Sequence, residues 1–236
     1  MWATKAPGGT GEAGYRYGVV LAILLVFVAF VIISPDTTWA RVVGFAFDVA
    51  ALVAAVATSR AAPATRGRRA VVVLLAGVVL IIAIDAGVLP IAVTFALSGV
   101  ITAAVAVALT GGLVRLLRER GVTVQAVAGA LSVYLLVGLL FAWAIAFVAR
   151  VNGGHYFAQQ SGVDTSSATY YSFTVMTTTG FGDLTAATHV GRALAVLEML
   201  VGQIYVVVVI GLLVGNAGGR RRAAAGGEAQ PPTEAG

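Results

Sequence analysis

Residues 177–183 read Thr-Thr-Thr-Gly-Phe-Gly-Asp and have the composition of a loop that binds a dehydrated cation. The two glycines allow backbone conformations that a Cβ atom would oppose, so that successive carbonyls can face one axis. Rows of backbone carbonyls around a narrow axis replace the water shell of a potassium ion. The chemistry indicated is ion coordination by the main chain, without a covalent step.

The rest of the chain has the composition of an integral membrane protein. Of its 236 residues 59% are hydrophobic and only 11% are charged, and the mean hydropathy is +0.96. Soluble domains are nearer one quarter charged. The absence of cysteine excludes disulfides and thiolate metal sites. Because no nucleotide-binding loop or catalytic cluster is recognisable, we expect no enzymatic activity and no cofactor, with K⁺ only as a permeating ion.

Six apolar stretches are long enough to cross a bilayer, which takes about 20 residues. They are residues 17–34, 39–58, 70–88, 91–110, 122–148 and 190–215. The sequence therefore predicts an all-α membrane protein with a polar segment, 150–189, between the last two spans. The expected domains are a disordered N-terminus (1–14), a four-helix transmembrane region (15–120), a pore domain (121–216) and a disordered tail (217–236).

The basic residues give this map an orientation, because Lys and Arg favour cytoplasmic loops. With a cytoplasmic N-terminus, twelve basic residues fall inside: Lys5, Arg16, Arg60, Arg66, Arg68, Arg69, Arg115, Arg118, Arg120, Arg220, Arg221 and Arg222. Three fall outside: Arg41, Arg150 and Arg192. We therefore expect a multi-pass protein of the cell membrane with both termini cytoplasmic and segment 150–189 outside. The net charge of +5 then reflects topology and attraction to anionic lipid, and nucleic-acid binding is not expected.

A short helix is predicted immediately before the glycine-containing loop. Residues 166–177 would form a helix about 18 Å long, which suits a re-entrant element and is too short to span. Asp164 or Ser166 would cap its start. The helix C-terminus carries a partial negative charge, and four such ends around one axis would stabilise a cation.

These motifs resemble those of simple bacterial potassium channels. The resemblance covers residues 129–215 and rests on Tyr170-Tyr171-Ser172, Thr177-Thr178, Gly180-Phe181-Gly182-Asp183-Leu184 and Gly191-Arg192. It implies a homotetramer in the lipid bilayer, in which each chain contributes one quarter of the selectivity filter. In that filter, made of Thr178, Thr179, Gly180, Phe181 and Gly182, the backbone carbonyls of the first four residues would coordinate K⁺.

The resemblance also implies which residues support the filter. Thr177 would precede it and Asp183 would lie at its outer mouth, while Phe181, Tyr170 and Tyr171 would pack around it as an aromatic cuff. We expect Glu198 to hydrogen-bond behind the filter, to Thr174 or Tyr170, with lining of the ion path as the alternative. Gly202 is either a gating hinge or a site of close helix packing.

Three departures from the family pattern leave the degree of K⁺ over Na⁺ preference open. Thr179 replaces the usual Val, Phe181 replaces the usual Tyr, and Thr174 stands where some bacterial channels have a Glu. One alternative is a weakly selective cation channel of the same fold. Others are a non-conducting channel subunit and a secondary transporter, although transporters usually have two interrupted segments and this chain has one.

The fourth span argues against voltage sensing of the usual kind. Voltage sensors carry Arg or Lys through the membrane field to supply gating energy. Residues 91–110 contain neither, and Arg115 and Arg118 are expected at the cytoplasmic interface.

Overall fold

The computed structural model describes residues 17–35, 37, 39–40, 42–47, 50, 83 and 90–227. Its named elements are five helices: α1 (Tyr17–Ile33), α2 (Ile91–Arg120), α3 (Val124–Val151), α4 (Thr165–Met176) and α5 (His189–Gly227). The predicted spans 39–58 and 70–88 lie largely outside the described residues, as do the N-terminal segment 1–14 and residues 228–236. In the described part of the chain, the only β-type pairing is one isolated bridge between Phe157 and Ala186.

Three of the described helices are long and apolar enough to cross a membrane. They are α2, α3 and the part of α5 from His189 to Val209, whereas α1 is apolar but has 17 residues. The chain is therefore a membrane protein. The structure extends α3 from the predicted end at residue 148 to Val151, and it extends two other helices much further.

The first of these extensions is in α2, which continues from the predicted end at residue 110 to Arg120. The second is in α5, which passes residue 215 and ends at Gly227, inside the segment for which the sequence predicts disorder. Residues 217–227 are helical in the structure, where the sequence predicts disorder. A helix that is already nucleated propagates at little cost through good helix formers, such as the Arg and Ala residues at 220–225.

Helices α2 and α3 form a tight antiparallel hairpin. Gly121 ends α2 at φ +66°, and its N–H donates to the Leu117 carbonyl at 2.9 Å. Thr123 then caps α3, because its side chain accepts from the Ala126 N–H. Along the interface, the indole N–H of Trp143 donates to the Thr102 hydroxyl at 3.1 Å in a buried environment. Its ring stacks on Phe95, so these contacts attach α2 to α3.

Helix α1 runs in the same direction as α3. At the start of both helices the Gly18 N–H donates to the Gln125 amide at 3.2 Å. At the opposite end the Ser166 hydroxyl donates to the Ile32 carbonyl at 2.7 Å, which joins α1 to the start of α4. Helices α1 and α2 are therefore antiparallel, and the end of α1 lies on the same side as the start of α2.

Candidate functional site

Helix α4 is the 12-residue half-length helix that the sequence predicts before the loop. Of the two predicted candidates, Asp164 and Ser166, the N-cap is Asp164, whose carboxylate accepts from the Ser167 N–H at 2.7 Å. The helix packs against α1, α3 and α5, and its buried face includes Ala168, Thr169, Tyr171, Ser172, Val175 and Met176. This protein environment allows a helix too short to span to end at membrane depth.

The loop that follows α4 adopts the backbone conformations for which its glycines are suited. Gly180 has φ +49° and Gly182 has φ +81°, both in the left-handed region. Thr178 also has a positive φ, +57°, and is the only non-glycine residue with one in the described part of the chain. A β-branched residue in this region is strained, and such strain is concentrated at functional sites.

One carbonyl at the end of α4 holds the start of this loop. The Thr174 carbonyl accepts from the N–H groups of both Thr179 and Gly180, at 2.9 and 3.1 Å, and the Val175 carbonyl accepts from the Thr178 N–H. These three N–H groups are therefore satisfied by the pore helix itself. The hydroxyl of Thr174 donates locally to the Tyr171 carbonyl. The anchoring role of the Thr174 main chain was not predicted from the sequence.

The carbonyls of the same loop are not used within the chain. None of the carbonyls of Thr178, Thr179, Gly180 and Phe181 accepts a hydrogen bond from any described residue. Residues 177–183 are all exposed in the single chain. A loop with satisfied donors and available acceptors is suited to binding a cation through its main chain.

Two threonine hydroxyls and one glutamine line the inner part of the loop. The hydroxyls of Thr177 and Thr179 lie 2.9 Å apart and share a hydrogen bond. The Gln203 side chain, on α5, donates to the Thr178 hydroxyl at 3.4 Å. Gln203 thereby connects the inner helix to the first residue of the predicted filter.

The predicted aromatic cuff forms only in part. The Tyr170 ring stacks parallel to that of Phe181, with centroids 6.4 Å apart, and its hydroxyl donates to the Asp183 carboxylate at 2.8 Å. Tyr171 does not face the loop and packs edge-on against Tyr156 and Phe157. These two residues belong to the segment between α3 and α4, residues 152–164, which is named the outer segment after its predicted side of the membrane. Consecutive residues of a helix point about 100° apart, so that in this chain Tyr170 is directed towards the loop and Tyr171 away from it.

The Tyr170–Asp183 contact predicts a measurable pH effect. The hydrogen bond to the Asp183 carboxylate, assisted by its negative charge, raises the pKa of Tyr170, because ionising the hydroxyl removes that bond and adds repulsion. We expect Asp183→Asn to lower the pKa of Tyr170 towards its ordinary value. Tyrosinate absorbance during an alkaline titration measures this shift, and subtraction of a Tyr170→Phe background isolates the signal. An unchanged midpoint in Asp183→Asn would contradict the contact.

Glu198 is buried behind the pore helix, but not with the predicted partner. Its side chain is 0% exposed and is hydrogen-bonded to the hydroxyl of Ser172, and not to Thr174 or Tyr170. Ser172 lies on the face of α4 that is turned towards α3 and α5, whereas Tyr170 faces the loop. Position 172 belongs to the Tyr-Tyr-Ser motif, yet nothing in the sequence shows which helix face is turned towards the carboxyl.

Gly202 lies at a close approach between α5 and the end of α4. A Cβ atom at this position would be 2.6 Å from the Met176 carbonyl oxygen and 2.8 Å from the Met176 Cγ. Helix α5 continues through Gly202 without a break. Of the two roles considered for this glycine, close packing has direct structural support, and a hinge stays a prediction.

Helix α5 contacts its own chain along a narrow stripe. Gly191, Ala195, Glu198 and Gly202 are buried, at the spacing of one helix face. Large apolar side chains cover the rest of its first five turns and are exposed: Val190, Val196, Leu197, Leu200, Ile204, Val207 and Val208. Exposed apolar side chains along a helix indicate that it faces lipid, a pore or other protein chains.

Residues 130–216 match a family model described as an ion channel, the domain with two transmembrane helices and a pore loop. The match contains α4, the loop and most of α3 and α5. This part of the chain is therefore similar to an ion channel domain. The start of the match is one residue from the start of the resemblance noted in the sequence. No curated protein and no solved structure matches the chain.

In a domain of this kind, α3 would be the outer helix, α4 the pore helix and α5 the inner helix, and these names are used below. Such a domain supports passive ion movement through a pore. Among the described residues no group of histidine, cysteine and acidic side chains is arranged to hold a metal ion. The candidate site for ions is therefore the main chain of the loop between α4 and α5.

Proposed function

We propose that this chain is one subunit of a homotetrameric, potassium-selective channel that conducts K⁺ down its electrochemical gradient. The observation that carries the proposal is the pattern of satisfied and available groups in residues 178–181. Their carbonyls have no partner among the described residues, whereas the N–H groups of Thr178, Thr179 and Gly180 are held by the end of α4. Ions would move by knock-on between adjacent carbonyl sites.

The tetramer is proposed because one loop supplies only one quarter of a carbonyl-lined site. The loop is exposed in the single chain, and Phe181 is 69% exposed with its ring stacked only on Tyr170 among the described residues. Four copies around one axis would cover the loop and the apolar side chains of α5 together. The twelve-to-three distribution of basic residues supports an orientation with the loop on the outer side.

Potassium flux in liposomes tests this proposal. Purified protein is reconstituted with a K⁺ gradient, and we expect an electrical flux that Ba²⁺ blocks and a tetrameric mass in detergent by light scattering. In mixed K⁺ and Na⁺ the reversal potential should lie near the K⁺ equilibrium value. No flux from a well-folded tetramer would favour a non-conducting subunit, and flux without single-channel current steps would favour a transporter.

A weakly selective cation channel is the second candidate, and the departures at Thr179 and Phe181 favour it. Phe181 has no hydroxyl with which to brace the filter, and the Thr179 hydroxyl is paired with Thr177 and not packed in an apolar contact. The same recording separates the two functions. A reversal potential midway between the K⁺ and Na⁺ values would replace the potassium-selective assignment with this one.

A further inference from the structure

A buried carboxyl lies where the outer, pore and inner helices meet. Glu198 of α5 and Ser172 of α4 are both 0% exposed and hydrogen-bonded to each other. The Ser172 hydroxyl is also 2.7 Å from the Gly138 carbonyl of α3. One serine thus bridges all three helices of the channel domain.

Gly138 allows this approach because it has no side chain. A Cβ atom there would lie 2.8 Å from the Met176 methyl and 2.9 Å from the Phe173 ring, both on the pore helix. A larger residue at this position would have to displace the ends of these two side chains.

Counting protons identifies the state of Glu198. A serine hydroxyl has one proton to donate, and two oxygen atoms lie within hydrogen-bonding distance of it. If Glu198 were ionised, Ser172 could donate either to the carboxylate or to the Gly138 carbonyl, but not to both. If Glu198 is protonated, it donates to Ser172 and Ser172 donates to Gly138. Only the second arrangement makes both contacts hydrogen bonds.

The surroundings of Glu198 agree with an uncharged carboxyl. Its second oxygen, Oε2, is buried without a hydrogen-bond partner among the described residues. The titratable groups that face it from the neighbouring elements are three tyrosines: Tyr134 of α3, Tyr171 of α4 and Tyr156 of the outer segment. All three are ordinarily neutral at physiological pH. An isolated buried charge would be strongly unfavourable here.

We propose that Glu198 is held in its protonated form and that its proton completes a hydrogen-bond chain, Glu198 to Ser172 to the Gly138 carbonyl, which positions the pore helix. The consequence for the filter rests on the proposed channel function. Ser172 lies two residues before Thr174, whose carbonyl holds the N–H groups of Thr179 and Gly180. Loss of the chain would therefore move the anchor of the filter without touching an ion-coordinating atom.

Infrared spectroscopy of the reconstituted protein tests the protonation state directly. We expect the carbonyl stretching band of a protonated carboxylic acid at neutral pH in the wild type and its absence in Glu198→Gln. In Ser172→Ala the band should remain and shift to higher frequency, because the acid loses the acceptor of its proton. A difference spectrum between wild type and Glu198→Gln that contains only carboxylate bands would overturn the proposal.

Ion flux tests the positioning role. Glu198→Gln keeps a donor to Ser172 in its amide N–H and should retain K⁺ selectivity, whereas Glu198→Leu, of similar size and without a donor, should lose it. At alkaline pH the wild type should lose flux once Glu198 ionises, and Glu198→Gln should keep it. Identical pH profiles, or full selectivity in Glu198→Leu, would contradict a positioning role.

The two measurements also separate this inference from the proposed function. An acid band in a protein that carries no K⁺ flux would sink the channel assignment and leave the protonated carboxyl in place. Flux without the acid band would overturn the protonated carboxyl and leave the channel assignment in place. Tetrameric mass by light scattering is measured for every variant, so that a loss of flux is interpreted only for folded protein.

Discussion

Gly180→Ala should abolish potassium-selective flux, and it is the substitution with the largest expected effect. Gly180 has φ +49°, where an L-residue with a Cβ atom is disfavoured by about 1–2 kcal/mol. In the proposed tetramer the penalty recurs in each of four loops around one axis. The carbonyls of Thr179 and Gly180 would rotate away from that axis, since the loop relieves its strain by changing ψ and φ. Liposome K⁺ flux and the reversal potential in mixed K⁺ and Na⁺ measure the loss.

Gly153→Ala is the matched control for this substitution. Gly153 has φ +67°, and a Cβ atom added there would meet no atom of the chain within 4 Å, as is also true at Gly180. The two substitutions introduce similar backbone strain, but Gly153 belongs to the outer segment after α3. Gly153→Ala should therefore lower thermal stability slightly and leave selectivity unchanged. Equal flux and selectivity in the two variants would remove the filter assignment of residues 178–182.

Gly202→Ala should destabilise the channel domain by about 1–3 kcal/mol, the usual range for overpacking. The added methyl group would be 2.6 Å from the Met176 carbonyl oxygen, a main-chain atom that cannot turn aside. We expect α4 and α5 to separate, which would lower both the thermal stability of the protein and the K⁺ flux of the proposed tetramer. Fluorescence-detected size exclusion after heating measures the first quantity, and liposome flux measures the second.

Gly211→Ala, further along the same helix, is the control. A Cβ atom at Gly211 would have no atom of the chain within 4 Å, and alanine is a better helix former than glycine by about 1 kcal/mol. This variant should be as stable as the wild type or more so. The pair also distinguishes the two roles considered for Gly202. If Gly202→Ala keeps full thermal stability and only shortens channel openings, the glycine is a hinge and not a packing site.

Features that depend on neighbours in the sequence could be predicted closely. The apolar runs indicated α1, α2, α3 and α5, since a helix that buries an apolar surface needs a long apolar segment. The N-cap at Asp164 was predictable because capping involves only the next three residues. The left-handed conformations of Gly180 and Gly182 agree with the glycines at these positions, because this conformation depends on the residue itself and not on distant contacts. The end of α5 was less predictable, because helix ends depend on weak preferences of single residues.

Contacts between distant segments could not be predicted in this way. Glu198 was expected near Thr174 or Tyr170, and the structure pairs it with Ser172. Tyr171 was expected at the loop, and it packs against Tyr156 and Phe157. In both cases the residue type indicated the kind of contact, a hydrogen bond for Glu198 and aromatic packing for Tyr171. Which residue forms that contact depends on how α4 is rotated about its axis. That rotation results from packing against α1, α3 and α5 together.

The sequence by itself determined that this is a membrane protein with a Thr-Gly-Phe-Gly loop after a half-length helix, because hydropathy and glycine conformation are properties of local segments. The tertiary structure alone decided what holds that loop. It assigned the Thr174 carbonyl as the anchor, Tyr170 as the partner of Asp183, and Ser172 as the bridge to Glu198. The bridge arises where helices pack, and packing brings together residues that are distant in the chain, such as Ser172 and Gly138, which are 34 positions apart.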